Sequence, residues 1–319
     1  MKRDCLLFIW KKGRASQKKS DATVDEVGRA RAVCGSLNWL AKEGRPDAAG
    51  PSSLHSSKLS NLKIEDIIAI NETVKNLKDT AELAVILQPL DSMKLSIVTD
   101  ASFANHGYHS QGGQMVIAHE KGLRDGLKVK TNLVGWRSGR LQRVVNSTLA
   151  AETQSLSRGL GDLLWIMVLT KELSEANFKV RDWKHRLSAE EVLVLGSENH
   201  QEFLKESLAI VDAKSLYDYL AKETVGGQDR RTAIEIQIIR DDLHHLDGQV
   251  RWVDHPAMIA DGLTKVRGNN EPLYRLLRDG SFKIQAEESQ MALRESARQN
   301  GQRSDQIRRN GAKENFGGL

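Results

Sequence analysis

The chain has 319 residues, 39% of them hydrophobic, and carries 47 Lys+Arg against 42 Asp+Glu for a formal charge of +5. That length fits one large domain or two ordinary ones at roughly 100–200 residues each, and the apolar content is enough for a packed core, so wholesale disorder is excluded. No apolar run approaches the roughly 18–20 residues of a membrane span. The run Cys5–Trp10 is followed by no small-residue cleavage site, and Cys5 and Cys34 form neither a metal spacing nor a disulfide framework. The mild positive charge permits a polyanionic partner without demanding one.

In chain order, residues 1–24 are basic (Lys2, Arg3, Lys11, Lys12, Arg14, Lys18, Lys19) and read as a solvated, disordered arm. Residues 25–90 read as helical. Val33, Leu37 and Leu40 recur at helical spacing before Gly44 and Arg45-Pro46-Asp47 break the pattern, and Ile64, Ile67, Ile68, Ile70 and Val74 mark further amphipathic stretches. From about Met93 the period becomes two. Residues 95–99 form a strand ending at Asp100, 114–118 a second, 132–137 a third, with the polar, glycine-containing 121–130 as the turn between them. Ser147 opens a long helix with Leu149, Leu156, Leu160, Leu163, Leu164 and Met167 on one face. Residues 174–206 are charged and irregular and read as an insertion. Strand 208–211, helix 213–222, helix 230–246, strand 249–253 and a short helix from Met258 follow, and 285–319 reads as a polar disordered tail. Three strands in succession, then strands separated by helices, predict an α/β fold around a five-stranded mixed sheet. Its first part is an antiparallel meander, its later strands are parallel, and helices flank it behind a small helical segment.

Four acids stand out. Asp100 and Asp212 each follow an apolar strand, Glu152 lies inside the apolar stripe of the long helix, and Asp261 sits within Ile259-Ala260-Asp261-Gly262-Leu263. Each alone has an ordinary reading, such as a turn former or, for Asp212, a helix cap. As a set converging on one sheet edge they would repel, raising their pKa values, unless hard divalent cations with oxygen preference neutralised them. Two such ions about 4 Å apart clamp an in-line phosphoryl displacement, so the chemistry points to phosphodiester hydrolysis.

The order of these segments resembles the ribonuclease H domain at the end of the Pol polyprotein of copia-type LTR retrotransposons. The resemblance is carried by Val98-Thr99-Asp100-Ala101-Ser102-Phe103-Ala104, His109-Ser110-Gln111-Gly112-Gly113, Val134-Gly135-Trp136-Arg137-Ser138, Asn146-Ser147-Thr148-Leu149-Ala150-Ala151-Glu152, Val211-Asp212-Ala213-Lys214-Ser215 and Ala260-Asp261-Gly262-Leu263-Thr264-Lys265. Upstream, Gly35-Ser36-Leu37-Asn38-Trp39-Leu40-Ala41 and Arg45-Pro46-Asp47 resemble the segment after the reverse transcriptase palm. The resemblance implies a ribonuclease H-like domain over 91–284, preceded by a polymerase tail or connection over 25–90. The polymerase Asp-Asp hairpin has no counterpart, so no polymerase activity is expected. It further implies an endonuclease cleaving the RNA strand of RNA–DNA hybrids, with two Mg2+ (or Mn2+) held by Asp100, Glu152, Asp212 and Asp261, and with His255 as a further catalytic candidate. Ser102, Asn105, Gln111 and Asn146 are the candidate contacts to 2′-hydroxyls, and Arg137, Arg140 and Arg143 to phosphates. The implied partners are the hybrid and the rest of a Pol polyprotein, with no membrane. The implied location is the cytoplasm, in a virus-like particle, with the nucleus as the alternative. Ser102 and Leu149 replace acids of the family pattern, which keeps open a catalytically inactive remnant that binds nucleic acid or protein. An integrase or transposase core is disfavoured because the Glu comes second among the acids.

Overall fold

A computed structural model describes residues 13–106, 109–174, 206–221 and 229–285, with isolated positions 176, 287, 289, 292 and 296. The insertion expected over 174–206 and the tail expected over 285–319 lie almost wholly outside the described residues, as does the first half of the basic arm. The described part of that arm, expected to be disordered, is docked. Arg14 binds the Glu26 carboxylate through two nitrogens at 2.9 and 2.8 Å, and the Asp21 backbone forms an isolated antiparallel β-bridge with Lys63.

Helix α1 (Val24–Glu43) opens with a reciprocal cap. The Thr23 hydroxyl accepts from the Glu26 N–H at 3.3 Å, and the Glu26 carboxylate accepts from the Thr23 N–H at 2.8 Å. α2 (Ala49–Ser57) and α3 (Ile64–Asp79) close a small core around Leu37, Ala48, Ile64, Ile67 and Ile70. Helix stops at Asp79, short of the expected limit at 90, and the chain then runs without regular structure to the sheet.

The sheet has six strands, one more than expected: β1 (Lys94–His106), β2 (His109–His119), β3 (Val129–Arg140), β4 (Leu208–Val211), β5 (Gln249–Trp252) and β6 (Ser281–Phe282). Their order is β5-β4-β1-β2-β3-β6, antiparallel from β1 through β3 to β6 and parallel from β1 through β4 to β5. This is the ribonuclease H-like arrangement expected, a meander followed by parallel strands. β6 escapes sequence reading because two residues carry no period. β1 also runs past Asp100, since Ala101 and Ser102 still pair with Gly112 and Gln111. What ends near Asp100 is the parallel ladder to β4, whose last pair is Thr99 with Val211.

Both faces of the sheet are covered, which is why β4 is apolar at every position and why the neighbours Ile97 and Val98 of β1 are both buried. On one face α4 (Thr148–Ser174), α5 (Lys214–Ala221) and α6 (Arg230–His245) pack Leu156, Leu160, Leu163, Ile236 and Ile239 over Leu95, Ile97, Ala209 and Val211. On the other, Met258, Ile259, Leu263 and α7 (Glu271–Asp279) pack over Val98, Met115 and Ile210. The short helix expected from Met258 is two 3-10 turns, His255–Ala257 and Asp261–Leu263. Gly159 sets the approach of α4. A Cβ there would stand 2.8 Å from Thr99 Cγ2 and 2.9 Å from Ile97 Cγ1, so only glycine lets the helix sit this close to β1.

Candidate active site

Three of the four expected acids meet where the parallel ladder ends. Asp212 follows Val211, and Asp100 follows the Thr99 paired with it, so the β1–β4 register puts these two carboxylates on neighbouring strands at one level. Glu152 comes down from α4, whose Ser155 hydroxyl donates to the Asp100 carbonyl at 3.0 Å and locks the helix onto the strand at this height. Carboxylate oxygens of Asp100, Glu152 and Asp212 all lie within 4.8 Å of one another. Asp100 and Glu152 are buried, and Asp212 is half-buried.

Burial and mutual repulsion act together on this group. Burial first, and then the Asp212 charge, push the Asp100 carboxyl from 3.8 up to about 7, against Lys265 and the Thr264 hydroxyl. Glu152 is raised well above the usual carboxylate range, again by burial first and then by Asp100 and Asp212, with the Ala101 N–H favouring its charged form. Among the described residues Glu152 Oε2 is buried with no hydrogen-bond partner. Buried carboxylates in this state bind protons or a cation. Three convergent carboxylates, all oxygen donors, suit a hard divalent ion that keeps several waters, as Mg2+ does.

Asp261 stands beside this group. It is buried, one oxygen is taken by Lys265 Nζ, and the other accepts from the Asn269 N–H at 2.5 Å. Lys265 Nζ also lies 3.9 Å from Asp100 Oδ2, so it links the fourth acid to the first. Burial works against its charge, but Asp100 and then Asp261 outweigh that and raise its pKa. The Thr264 hydroxyl donates to Asp100 Oδ2. His255 bridges the same acids from the solvent side. Its Nδ1 is 2.8 Å from Asp212 Oδ2 and its Nε2 is 3.5 Å from Asp261 Oδ1, while its side chain is 56% exposed.

The expected nucleic-acid contacts divide. Arg137 and Arg140 are exposed on β3, and Asn146 is exposed ahead of α4. Ser102 is half-buried, and the side chain of Asn105 lies outside the described residues. Gln111 is not available to a ligand. It is buried, and its amide donates to Ser53 at 2.9 Å and to Ser138 at 2.8 Å, because its position on β2 faces the helical segment rather than solvent. Arg143 is exposed but ion-paired with Glu235 of α6. Trp252 is fully buried and Trp136 half-buried, whereas Trp165 is 54% exposed on α4. Sequence reasoning assigned no role to Ser155, Thr264 or Lys265. For Lys265 the i, i+4 spacing from Asp261 was the available signal.

No protein-family model matches the chain, and no curated protein matches it. Among solved structures, the N-terminal RNase H domain of a Mycobacterium tuberculosis protein, determined as a fusion with maltose-binding protein, aligns at 14% identity with a TM-score of 0.30 over 54% of this chain and 91% of that one. The likeness is slight, and the reading of the site rests on strand order and on the carboxylates. No helix among the described residues is long and apolar enough to cross a membrane.

Proposed function

We propose that this chain is a metal-dependent ribonuclease H-type endonuclease that hydrolyses the RNA strand of RNA–DNA hybrids. The observation that carries the reading is the meeting of Asp100, Glu152 and Asp212 within 4.8 Å at the end of the parallel ladder, with Glu152 Oε2 buried and without a hydrogen-bond partner among the described residues. These three would hold Mg2+ or Mn2+, with Asp261 as the fourth acid of a two-ion site. When bound, such ions supply an activated water and stabilise the leaving oxygen of an in-line displacement. The chain's own contributions are distinct. Ser155 and Thr264 hold Asp100 in place, His255 would take or give a proton at the open side of the site, and Arg137, Arg140, Asn146 and Ser102 would supply backbone and 2′-hydroxyl contacts.

We further propose that the domain is part of a copia-type Pol polyprotein, with 25–90 as the tail of the polymerase and no polymerase activity of its own. The hybrid and the rest of that polyprotein would be its partners, in the cytoplasm or the nucleus. A second reading, an inactive remnant that still binds hybrid, is favoured by one observation: Lys265 holds Asp261 in an ion pair. A labelled RNA–DNA duplex with Mg2+ separates the two. Cleavage of the RNA strand that Asp100→Asn abolishes is the expected result, and absence of cleavage above that variant would overturn the enzyme reading.

A further inference from the structure

The helical segment docks on the sheet with little tolerance. A Cβ on Gly50 of α2 would stand 2.1 Å from the Gly262 carbonyl oxygen, and the Trp136 indole N–H of β3 donates to the Ala41 carbonyl of α1 at 2.6 Å. Beside this seam the two parts leave a cleft of about 500 Å3. One wall is α1 and α2, with Asn38, Lys42, Ser52 and Ser56, and the other is β3, with Arg137 and Ser138. Its lining includes Lys42, several hydroxyls and an amide, and no carboxylate. Ser52 is 2% exposed, and its hydroxyl has no hydrogen-bond partner among the described residues, a state a buried polar group rarely keeps unless something else satisfies it. The Arg137 guanidinium turns instead to Asp162 of α4, 3.7 Å away, on the opposite face of the sheet from Trp136 and Ser138.

The cleft opens on the same row of the sheet as the acids. Asp100 pairs with Gly113, and Gly113 with Ser138, so at roughly 5 Å per strand the Ser138 backbone is about 10 Å from that of Asp100. A single nucleic-acid molecule can reach both. We propose that this cleft binds a phosphodiester group of the hybrid away from the one that is cut, so that α1 and α2 form one wall of the nucleic-acid channel. The inference rests on the nuclease reading for the identity of the polyanion. The chemistry fits a backbone phosphate: a point cation in Lys42 and small hydroxyl donors, with no like charge to repel it.

The test uses the full chain and a fluorescent RNA–DNA hybrid of about twenty base pairs, with binding read by anisotropy in EDTA at several salt concentrations. Lys42→Glu and Ser56→Asp are expected to weaken binding about tenfold or more and to flatten the slope of log affinity against log salt by about one, with melting temperature unchanged. Parent-like affinity and slope in both charged variants would overturn the inference even if the parent cleaves hybrid. Weakened binding in both, with a parent that does not cleave, would support the cleft and sink only the nuclease reading. A parent that does not bind hybrid at all would overturn the inference. Binding to anionic phospholipid vesicles that Lys42→Glu abolishes, with hybrid binding unchanged, would overturn it too.

Discussion

The molecule buries carboxylates in two places and treats them in opposite ways. In the helical segment each buried acid has its own cation. Arg14 grips Glu26, Arg45 grips Asp47 through two nitrogens at 2.9 and 2.8 Å, and Lys58 reaches Asp66 at 2.7 Å. Hydrogen bonding to Arg14 accordingly lowers the Glu26 carboxyl to about 2. At the end of the parallel ladder Asp100 and Glu152 face each other and Asp212, and burial with repulsion drives Asp100 up to about 7. The helical segment closes its charge balance internally, and the sheet leaves its own open. Open balance in a buried cluster costs stability, and it persists where a ligand supplies the missing charge.

Breaking each side of this contrast should give opposite signs. The largest effect is expected at Asp100→Asn. It should lower the Mg2+-dependent cleavage rate by about a thousandfold or more, since a metal ligand and its charge are lost together. In EDTA the same variant should raise the melting temperature, by roughly 2–4 °C for each kcal/mol of repulsion relieved. A fall in melting temperature would contradict the open balance. Arg45→Met should do the reverse in the helical segment. It leaves Asp47 buried without its partner, at a cost of about 3–5 kcal/mol, read by chemical denaturation.

The pH dependence sharpens the same point. The folded Asp100 carboxyl titrates above its ordinary 3.8, so between about 4 and 7 the folded state holds the proton that the unfolded chain has released. Stability of the metal-free protein therefore falls as pH rises through that window and levels off above it. Glu26 contributes the opposite slope, but mainly below its ordinary 4.5. Scans in EDTA from pH 5 to pH 8 should show the decline, and Mg2+ should remove most of it, because the ion binds the deprotonated carboxylates. A flat profile in EDTA would argue against the raised carboxyls. The smallest effect is expected at His255→Ala, which leaves the acids in place and removes one exposed proton carrier. Cleavage should slow about tenfold, below the ordinary general acid–base range of about 10²–10⁴. Unchanged rates across the pH profile would remove His255 from the chemistry.

Much of this was legible from residue order. The period-two runs of β1 to β3, the apolar run of β4 and the helical stripe of α4 announced their elements, and apolar flanks marked Asp100, Glu152, Asp212 and Asp261 as acids out of place. Strand ends were less legible, because the polar residues after Asp100 stay in β1 only through pairing with β2, a partner that local pattern does not reveal. Gln111 looked like a surface contact for the same reason. Its amide is claimed by Ser53, 58 positions earlier in the chain.

Sequence alone determined which residues are apolar, at what period they recur, and hence the order of strands and helices and the identity of the misplaced acids. Only the tertiary structure decided that three of those acids meet while the fourth is held by Lys265, and that α1 and α2 close a cleft against β3. The reason is that side-chain period acts over a few neighbouring residues, whereas convergence depends on strand register and on the approach of α4 at Gly159. Those are set by packing between segments far apart in the chain.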